Sequence, residues 1–254
     1  MTWGFFSGVH IFTLILAVVI NVGLYGLLKR ASKKVQIAVL GTLSFSGIAA
    51  IVFNLVTWGS PLEYLPLHLC SITAILLPIA IFTRSKKIGN MLLLWCIGAM
   101  FALVVNSGQA DYEIFSWTFA IYYFPHVLEL GIPIILFKLG LIEKDYRCIK
   151  STLCLTMVIY TGVHCVNELL NLYFAANNVV DYAGNLIRVN YMFSVVPENP
   201  LLQMFYRLVP YKYWYMYLAV PVIAVYLGIV YLPQIAAEKR AQFVHRAGRK
   251  GMVH

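Results

Sequence analysis

Three histidines lie within apolar stretches of the sequence, each beside other polar side chains. They are His68 in YLPLHLCS, His126 in YYFPHVLE and His164 in YTGVHCVNE. Ionisable side chains are costly in lipid and usually have a functional role there. Because an imidazole can act as a general base, a covalent nucleophile or a metal ligand, these three are the first candidate catalytic residues.

Two carboxylates follow these histidines at helical spacing. Glu129 comes three residues after His126, and Glu168 comes four residues after His164. Residues at these spacings share one face of a helix. Burial disfavours the charged form of a carboxyl group unless the group has a partner. We therefore predict that Glu129 and Glu168 pair with the two imidazoles and orient them for catalysis.

Cys70 is a further candidate nucleophile, two residues after His68. Residues two apart point to different sides of a helix, so Cys70 would need a histidine from another helix, and the alternative is a small apolar packing residue. The five cysteines form no C-x-x-C pair, so a disulfide framework or zinc site is not predicted. Three imidazoles could also hold a metal ion, but their spacing matches no metal motif, and we predict no metal or cofactor.

Polar residues near the histidines are predicted to bind substrate. Asn106 ends the fourth apolar stretch, and Asn167 and Asn171 follow His164. These amides would line the same polar space as the imidazoles. Two arginines of the following loop are predicted to hold a lipid phosphate, because a guanidinium donates paired hydrogen bonds to phosphate oxygens: Arg188 and Arg207.

The composition indicates an all-α membrane protein with a single domain over residues 1–254. The chain is 61% hydrophobic and 11% charged, whereas a soluble domain has roughly a quarter charged residues. A span needs about 20 mainly apolar residues. Seven transmembrane helices are predicted near residues 8–28, 36–57, 64–83, 88–106, 118–138, 150–175 and 214–234.

The distribution of lysine and arginine predicts the orientation of the chain. Basic residues follow the first, third, fifth and seventh spans, and the other loops contain few of them. The positive-inside rule then places the N-terminus outside and the C-terminus in the cytoplasm. The basic tail near 235–254 is expected to rest on anionic lipid headgroups, and no nucleic acid partner is predicted. The sequence gives no oligomeric state.

The loop near 176–213 is predicted to be ordered and packed over the outer end of the bundle. It contains asparagine, proline and aromatic residues rather than a flexible glycine and serine linker. A short helix is expected around 200–208, because Asn199 is a favoured capping residue and Pro200 suits the first helical position.

The three histidines lie at similar depths along their predicted spans, which predicts that they line one cavity open to the outside. With a rise of 1.5 Å per residue, His68 lies about 6 Å from the outer end of its span, His126 about 13 Å and His164 about 16 Å. Prolines in the third and fifth spans either only kink these helices or open room beside His68 and His126. They are Pro66, Pro78, Pro125 and Pro133.

Several functions are compatible with such a cavity. One is acyl transfer or hydrolysis on a lipid, with a histidine as base or nucleophile. A proton-coupled transporter or a small-molecule receptor could use the same polar groups, and a structural partner would need no chemistry. The sequence contains no G-x-S-x-G, G-K-[ST] or G-x-G-x-x-G motif, so soluble nucleotide chemistry is not predicted.

These motifs resemble the YwaF/TMEM164 family of integral membrane proteins, with the bacterial branch as the closer match. The resemblance rests on LPLHLC, YYFPHVLE, HCVNELLN and NYMF, and it extends from about the second to the seventh span. Animal relatives are linked to acyl transfer between phospholipids, which makes polyunsaturated ether phospholipids. The resemblance therefore implies a membrane-embedded acyltransferase that acts on membrane phospholipids.

The histidines of the family match His68, His126 and His164, but its proposed catalytic cysteine has no equivalent here. That cysteine immediately precedes the third-span histidine, where this chain has Leu67, and Cys70 lies three places later. An acyltransferase built on this chain would therefore use a histidine, or a displaced Cys70.

Overall fold

The structure, a computed structural model, describes residues 1–57, 62–105, 108–181 and 184–250, with side chains described up to residue 240. This part of the chain is helical, with only two isolated β-bridges. The α-helices are α1 Gly8–Leu28, α2 Lys33–Thr57, α3 Leu69–Thr83, α4 Lys86–Val104, α5 Trp117–Lys138, α6 Cys148–Ala176, α7 Pro200–Leu208 and α8 Ala219–Lys250. Two short 3-10 helices are Tyr191–Phe193 and Trp214–Leu218.

Among the described residues, six helical segments are long and apolar enough to cross a membrane, which makes this a multi-pass membrane protein. They are α1, α2, α4, α5, α6 and the segment Trp214–Arg240, which begins in the 3-10 turn before α8. α3 is apolar but has only 15 residues. At 1.5 Å per residue it is about 22 Å long, shorter than a hydrocarbon core of about 30 Å.

α3 begins five residues later than the predicted span because of Pro66. Proline has no N–H to donate and disfavours helical backbone at the residue before it, Leu65. The chain instead makes a tight turn, in which the N–H of Leu67 donates to the Leu65 carbonyl at 2.7 Å. His68 therefore has extended backbone and precedes the helix rather than lying inside it.

α5 is the central helix of the bundle and contacts α1, α2, α3 and α4. Most of its span is buried, whereas α1, α6 and α8 are largely exposed on the outside. Close helix packing in membranes depends on small residues. Gly131 of α5 is such a residue, because a Cβ there would lie 1.6 Å from Oδ1 of Asn21 on α1.

Asn90 joins three elements at the end of the bundle that carries the 139–147 loop. Its Nδ2 donates to the Lys86 and Glu143 carbonyls, at 2.7 and 3.1 Å. Its Oδ1 accepts the N–H of Asp145 at 2.9 Å and the hydroxyl of Tyr231 on α8. A single buried amide therefore joins the start of α4, the 139–147 loop and the middle of α8.

The N-terminal residues are packed against the 108–116 loop at the opposite end. Trp3 is fully buried, its indole N–H donates to Thr13 at 2.8 Å, and its backbone N–H donates to the Tyr112 carbonyl at 2.8 Å. His10 is also fully buried, with Nε2 2.8 Å from the Leu103 carbonyl. These contacts hold the first residues of the chain to the ends of α4 and α5.

The 184–218 segment contains the short helix that the sequence predicts. α7 runs Pro200–Leu208, and the Asn199 side chain accepts the Leu202 N–H at 3.0 Å, so the predicted cap and first-turn proline are confirmed. α8 continues to Lys250 and thus includes much of the stretch predicted as a tail.

Candidate functional site

A cavity of about 240 Å³ lies between the 62–71 stretch, α2 and the 188–198 segment. It is at the end of the bundle that carries the N-terminal residues. α2 ends on this side, and Tyr191 of the 188–198 segment donates its hydroxyl to the carbonyl of Leu62, which follows α2. Its polar lining includes both signs of charge, and it contains one of the predicted histidines and one predicted arginine. These residues are Glu63, His68, Ser71, Arg188, Asn190 and Glu198.

His68 reaches the cavity wall from the residue just before α3. Its ring lies between Tyr191 and Phe193, with centroid distances of 5.3 and 5.7 Å. The Met192 N–H donates to His68 Nδ1 at a long 3.4 Å. Because an N–H can only donate, Nδ1 must be the acceptor, and Nε2 of the neutral ring carries the hydrogen.

His126 has the opposite arrangement on α5. Its side chain is buried, and its Nδ1 lies 2.6 Å from the Tyr122 carbonyl. A carbonyl can only accept, so Nδ1 carries the hydrogen and Nε2 of the neutral ring has a free lone pair. The Tyr122 ring packs against the imidazole at 4.4 Å, and its hydroxyl donates to the Ala102 carbonyl.

The two imidazoles are near enough for their charges to interact. The hydrogen bonds to backbone atoms make His68 Nε2 a donor and His126 Nε2 a base. The two neutral rings are thus opposite tautomers, so one ring can donate a hydrogen bond while the other can take up a proton as a general base.

Glu129 and Cys70 lie beside this pair, deeper in the bundle. Glu129 is 4% exposed and interacts electrostatically with His126 and with Cys70. It makes no hydrogen bond to His126, whose Nδ1 binds the backbone, so its predicted orienting role is reduced to a charge effect. Cys70 also interacts electrostatically with Tyr122.

His164 belongs to a different group of side chains. Its Nδ1 is 2.9 Å from the Ser194 hydroxyl, and its ring packs on Tyr213 at 4.9 Å. Glu168 forms an ion pair with Lys212 at 3.3 Å rather than a hydrogen bond to His164. Across residues 1–57, 62–105, 108–181 and 184–240, no three His, Cys, Asp or Glu side chains group closely enough to hold a metal ion.

The predicted asparagines of α6 hold the chain that forms the cavity wall. Asn167 donates to the Tyr191 carbonyl at 2.8 Å and accepts the Tyr191 N–H at 3.0 Å. Asn171 does the same for Val189, at 2.9 and 2.8 Å. Arg207 is exposed on α7, and Asn106 lies outside the described residues. Of the predicted binding residues, Arg188 lines the cavity directly.

Several residues of this region were not among the predicted site residues. Ser71 lines the cavity, and its position three residues after His68 is a signal that helical periodicity could have supplied. Ser194 is fully buried and joins His164 to Asn167, at 2.9 and 2.8 Å. No local motif marks Ser194, because its partners are about 30 residues away in the sequence.

The comparison with known families gives a clear result. Residues 5–231 match the profile of the TMEM164 family, which covers most of the chain. Searches of curated proteins and of solved structures find no significant match. The matched range includes α1 to α7, the cavity and both histidines beside it. On this match, the chain belongs to the TMEM164 family.

Proposed function

We propose that the protein transfers acyl groups between membrane phospholipids. The observation that carries this proposal is His68 on the wall of a polar cavity, interacting electrostatically with the buried His126 of the opposite tautomer. A hydrogen-bond donor at His68 Nε2 and a base at His126 Nε2 supply the two functions that acyl transfer requires.

The reaction would proceed through direct attack of a lysophospholipid hydroxyl on a donor ester. His126 Nε2 takes the hydroxyl proton while the oxygen bonds to the ester carbonyl carbon. The hydrogen on His68 Nε2 stabilises the negative charge that develops on the carbonyl oxygen. When the bond to the leaving oxygen breaks, the His126 imidazolium returns the proton to it, so both histidines end in their starting states.

Covalent transfer through Cys70 is the less favoured route. The thiol interacts electrostatically with Glu129, whose negative charge would oppose that of a thiolate. A thiolate, not a thiol, is the effective nucleophile. The family cysteine position holds Leu67, which has no nucleophilic atom.

The cavity would hold the phospholipid headgroup. Arg188, on the cavity wall, can donate paired hydrogen bonds to the phosphate. Arg207, exposed on α7, would attract phosphates at the membrane surface. His164, Glu168, Asn167 and Asn171 would support the wall, and a catalytic role for His164 stays a prediction.

We further propose that α3 completes a set of seven spans, with the N-terminus outside and the C-terminus in the cytoplasm of a bacterial cell. Supporting this, the basic 29–34, 84–87 and 138–150 stretches alternate with loops that contain few lysines or arginines. The basic residues after 235 would then lie on anionic headgroups. Reporter fusions after residues 34 and 113 should report opposite sides of the membrane.

Purified protein in liposomes tests the reaction. We expect an isotopically labelled lysophospholipid to gain an acyl chain from the vesicle lipid, as measured by mass spectrometry. His126→Gln should lower the rate about 10²–10⁴-fold, the usual contribution of a general base. His245→Gln, a histidine at the other end of the chain, is the matched control. No transfer by the wild type, with the expected donor and acceptor classes present, would contradict the proposal.

Proton-coupled transport is the second candidate, and the buried Glu129 favours it. Intramembrane carboxylates next to histidines are typical of proton relays. Solute uptake into proteoliposomes that depends on a pH gradient, without any change in the vesicle lipids, would support transport over acyl transfer.

A further inference from the structure

The Glu129 carboxylate has an unpartnered oxygen in the interior of the bundle. The residue is 4% exposed, and Oε2 forms no hydrogen bond within the described part of the chain. Thr73 on α3 is 1% exposed, and its hydroxyl also has no partner there. A buried polar oxygen without a partner is unfavourable, so each needs an explanation.

Two prolines add backbone oxygens to the same region. A helical carbonyl normally accepts the N–H four residues later, and proline has none. Pro78 therefore frees the Ala74 carbonyl on α3, and Pro133 frees the Glu129 carbonyl on α5. In membrane proteins such carbonyls are satisfied by neighbouring groups, by water or by an ion.

α2, α3 and α5 meet at these oxygens. A Cβ at Gly47 of α2 would lie 2.6 Å from the Ala74 Cβ and 3.3 Å from Glu129 Oε1. The side chains of Cys70, Thr73 and Ala74 share one face of α3 by their spacing. Cys70 interacts electrostatically with Glu129, so this face is turned towards the carboxylate.

No lysine or arginine balances the carboxylate. The ion pairs among the described side chains involve Glu143, Asp145, Glu168 and Glu238, and none involves Glu129. The titratable groups that interact with it are His126 and Tyr122 from α5 and Cys70 from α3, and Gly47 of α2 lies beside its Oε1. One carboxylate surrounded by neutral oxygens matches the charge of a monovalent cation rather than a divalent one. A proton on Glu129 could form a hydrogen bond between only two of these oxygens, whereas a bound cation can contact all of them.

We propose that Glu129, Thr73 and the freed Ala74 carbonyl form a binding site for a sodium ion between α2, α3 and α5. The site does not depend on acyl transfer, because it uses oxygens that the two cavity histidines do not need. The ion would join α3 to α5 about one helical turn from His126, with Gly47 of α2 beside it.

Thermal unfolding of the full chain in lipid nanodiscs tests the site. The melting temperature is measured while sodium chloride replaces N-methylglucamine chloride at constant ionic strength. A ligand that binds the folded state raises this temperature. We expect a saturable rise for the wild type and no rise for Glu129→Gln. Thr73→Val, which removes one ligand without changing the side-chain shape, should raise the half-maximal sodium concentration about tenfold.

Glu113→Gln is the matched control, because it removes an exposed carboxylate and should respond to sodium as the wild type does. Direct binding of radioactive sodium to the wild type and to Thr73→Val gives a second readout if Glu129→Gln fails to fold. A wild type that responds to pH but not to sodium, or an equal sodium response in Glu129→Gln, would overturn the proposal.

Discussion

At the scale of single residues, the 191–194 segment sets the protonation pattern of the cavity. Met192 and Phe193 have positive φ values of 52° and 55°, a conformation that non-glycine residues adopt rarely. Strained backbone of this kind persists only where surrounding contacts hold it. Here Asn167 holds Tyr191 through two hydrogen bonds. The strain directs the Met192 N–H towards His68 and so leaves its Nε2 as a donor.

Substitutions that keep or remove a donor separate the roles of the two histidines. Glutamine retains an N–H donor but is no base, so His68→Gln should keep more activity than His68→Leu. His126→Gln should be as inactive as His126→Leu, because position 126 needs a base. The measurement is the rate of acyl transfer in liposomes, with protein abundance and melting temperature as controls. Equal losses for His68→Gln and His68→Leu would contradict the assignment.

The sequence identified His68 and His126 because an ionisable residue is conspicuous in an apolar stretch. It could not predict their protonation, which depends on the backbone of residues 122 and 192. It also grouped His164 with the other two, since depth along a helix says nothing about which way a ring faces. The partner that decides this, Ser194, comes from a segment that folds back against α6.

At the scale of elements, Asn90 connects α4 to the 139–147 loop and to α8. All of its hydrogen-bonding atoms are used, and the residue is 2% exposed. α8 is otherwise largely exposed, so this contact matters more for α8 than it would in a buried helix.

We expect Asn90→Leu to destabilise the protein and to loosen α8. Buried hydrogen-bonding groups left without partners cost about 1–3 kcal/mol each, and the Asp145 N–H and Tyr231 hydroxyl would both lose theirs. Asn177→Leu, at the exposed end of α6, should change stability little. Unfolding in detergent, with proteolysis of α8 as a local readout, measures both variants. Equal stability of the two would contradict the role of Asn90.

The helices were largely predictable from hydropathy, and α1 has the predicted bounds, 8–28. The start of α3 was not predictable from hydropathy, because the predicted span counted the apolar residues around Pro66 as helix. Nor was the continuation of α8 beyond residue 234, where charged residues ended the apolar pattern that guided the prediction. Long-range contacts and backbone geometry, which hydropathy does not record, decide both boundaries.

At the scale of the whole molecule, the two ends of the bundle differ in charge. Lys86 lies in the basic end, where it pairs with Glu143 at 3.1 Å and with Asp145 at 2.7 Å. The Lys86 ammonium, together with the Arg147 N–H, lowers the pKa of the Asp145 carboxyl below its ordinary value. This loop therefore contributes to stability in a way that depends on pH.

Because the pKa of Asp145 is lower in the folded protein, its contribution is present above the ordinary aspartate pKa of about 3.9. It should be lost as the pH falls through the lowered value. The difference in melting temperature between wild type and Asp145→Asn should thus shrink below about pH 4. High salt should shrink it as well, since the pair is partly open to solvent, with the Lys86 side chain 39% exposed. Asp111→Asn, on an exposed loop, is the control, and a difference that grows in acid would contradict this account.

The burial of Trp3 has a consequence for biosynthesis. Its shell includes Phe119, Tyr122 and Tyr123, residues that the ribosome adds more than 100 positions later. The face of α1 that packs on α5 must therefore contact lipid until α5 has been inserted. Joining the first helix to the fifth is then a late event in assembly, and a nascent chain halted before residue 117 should leave Trp3 open to chemical labelling.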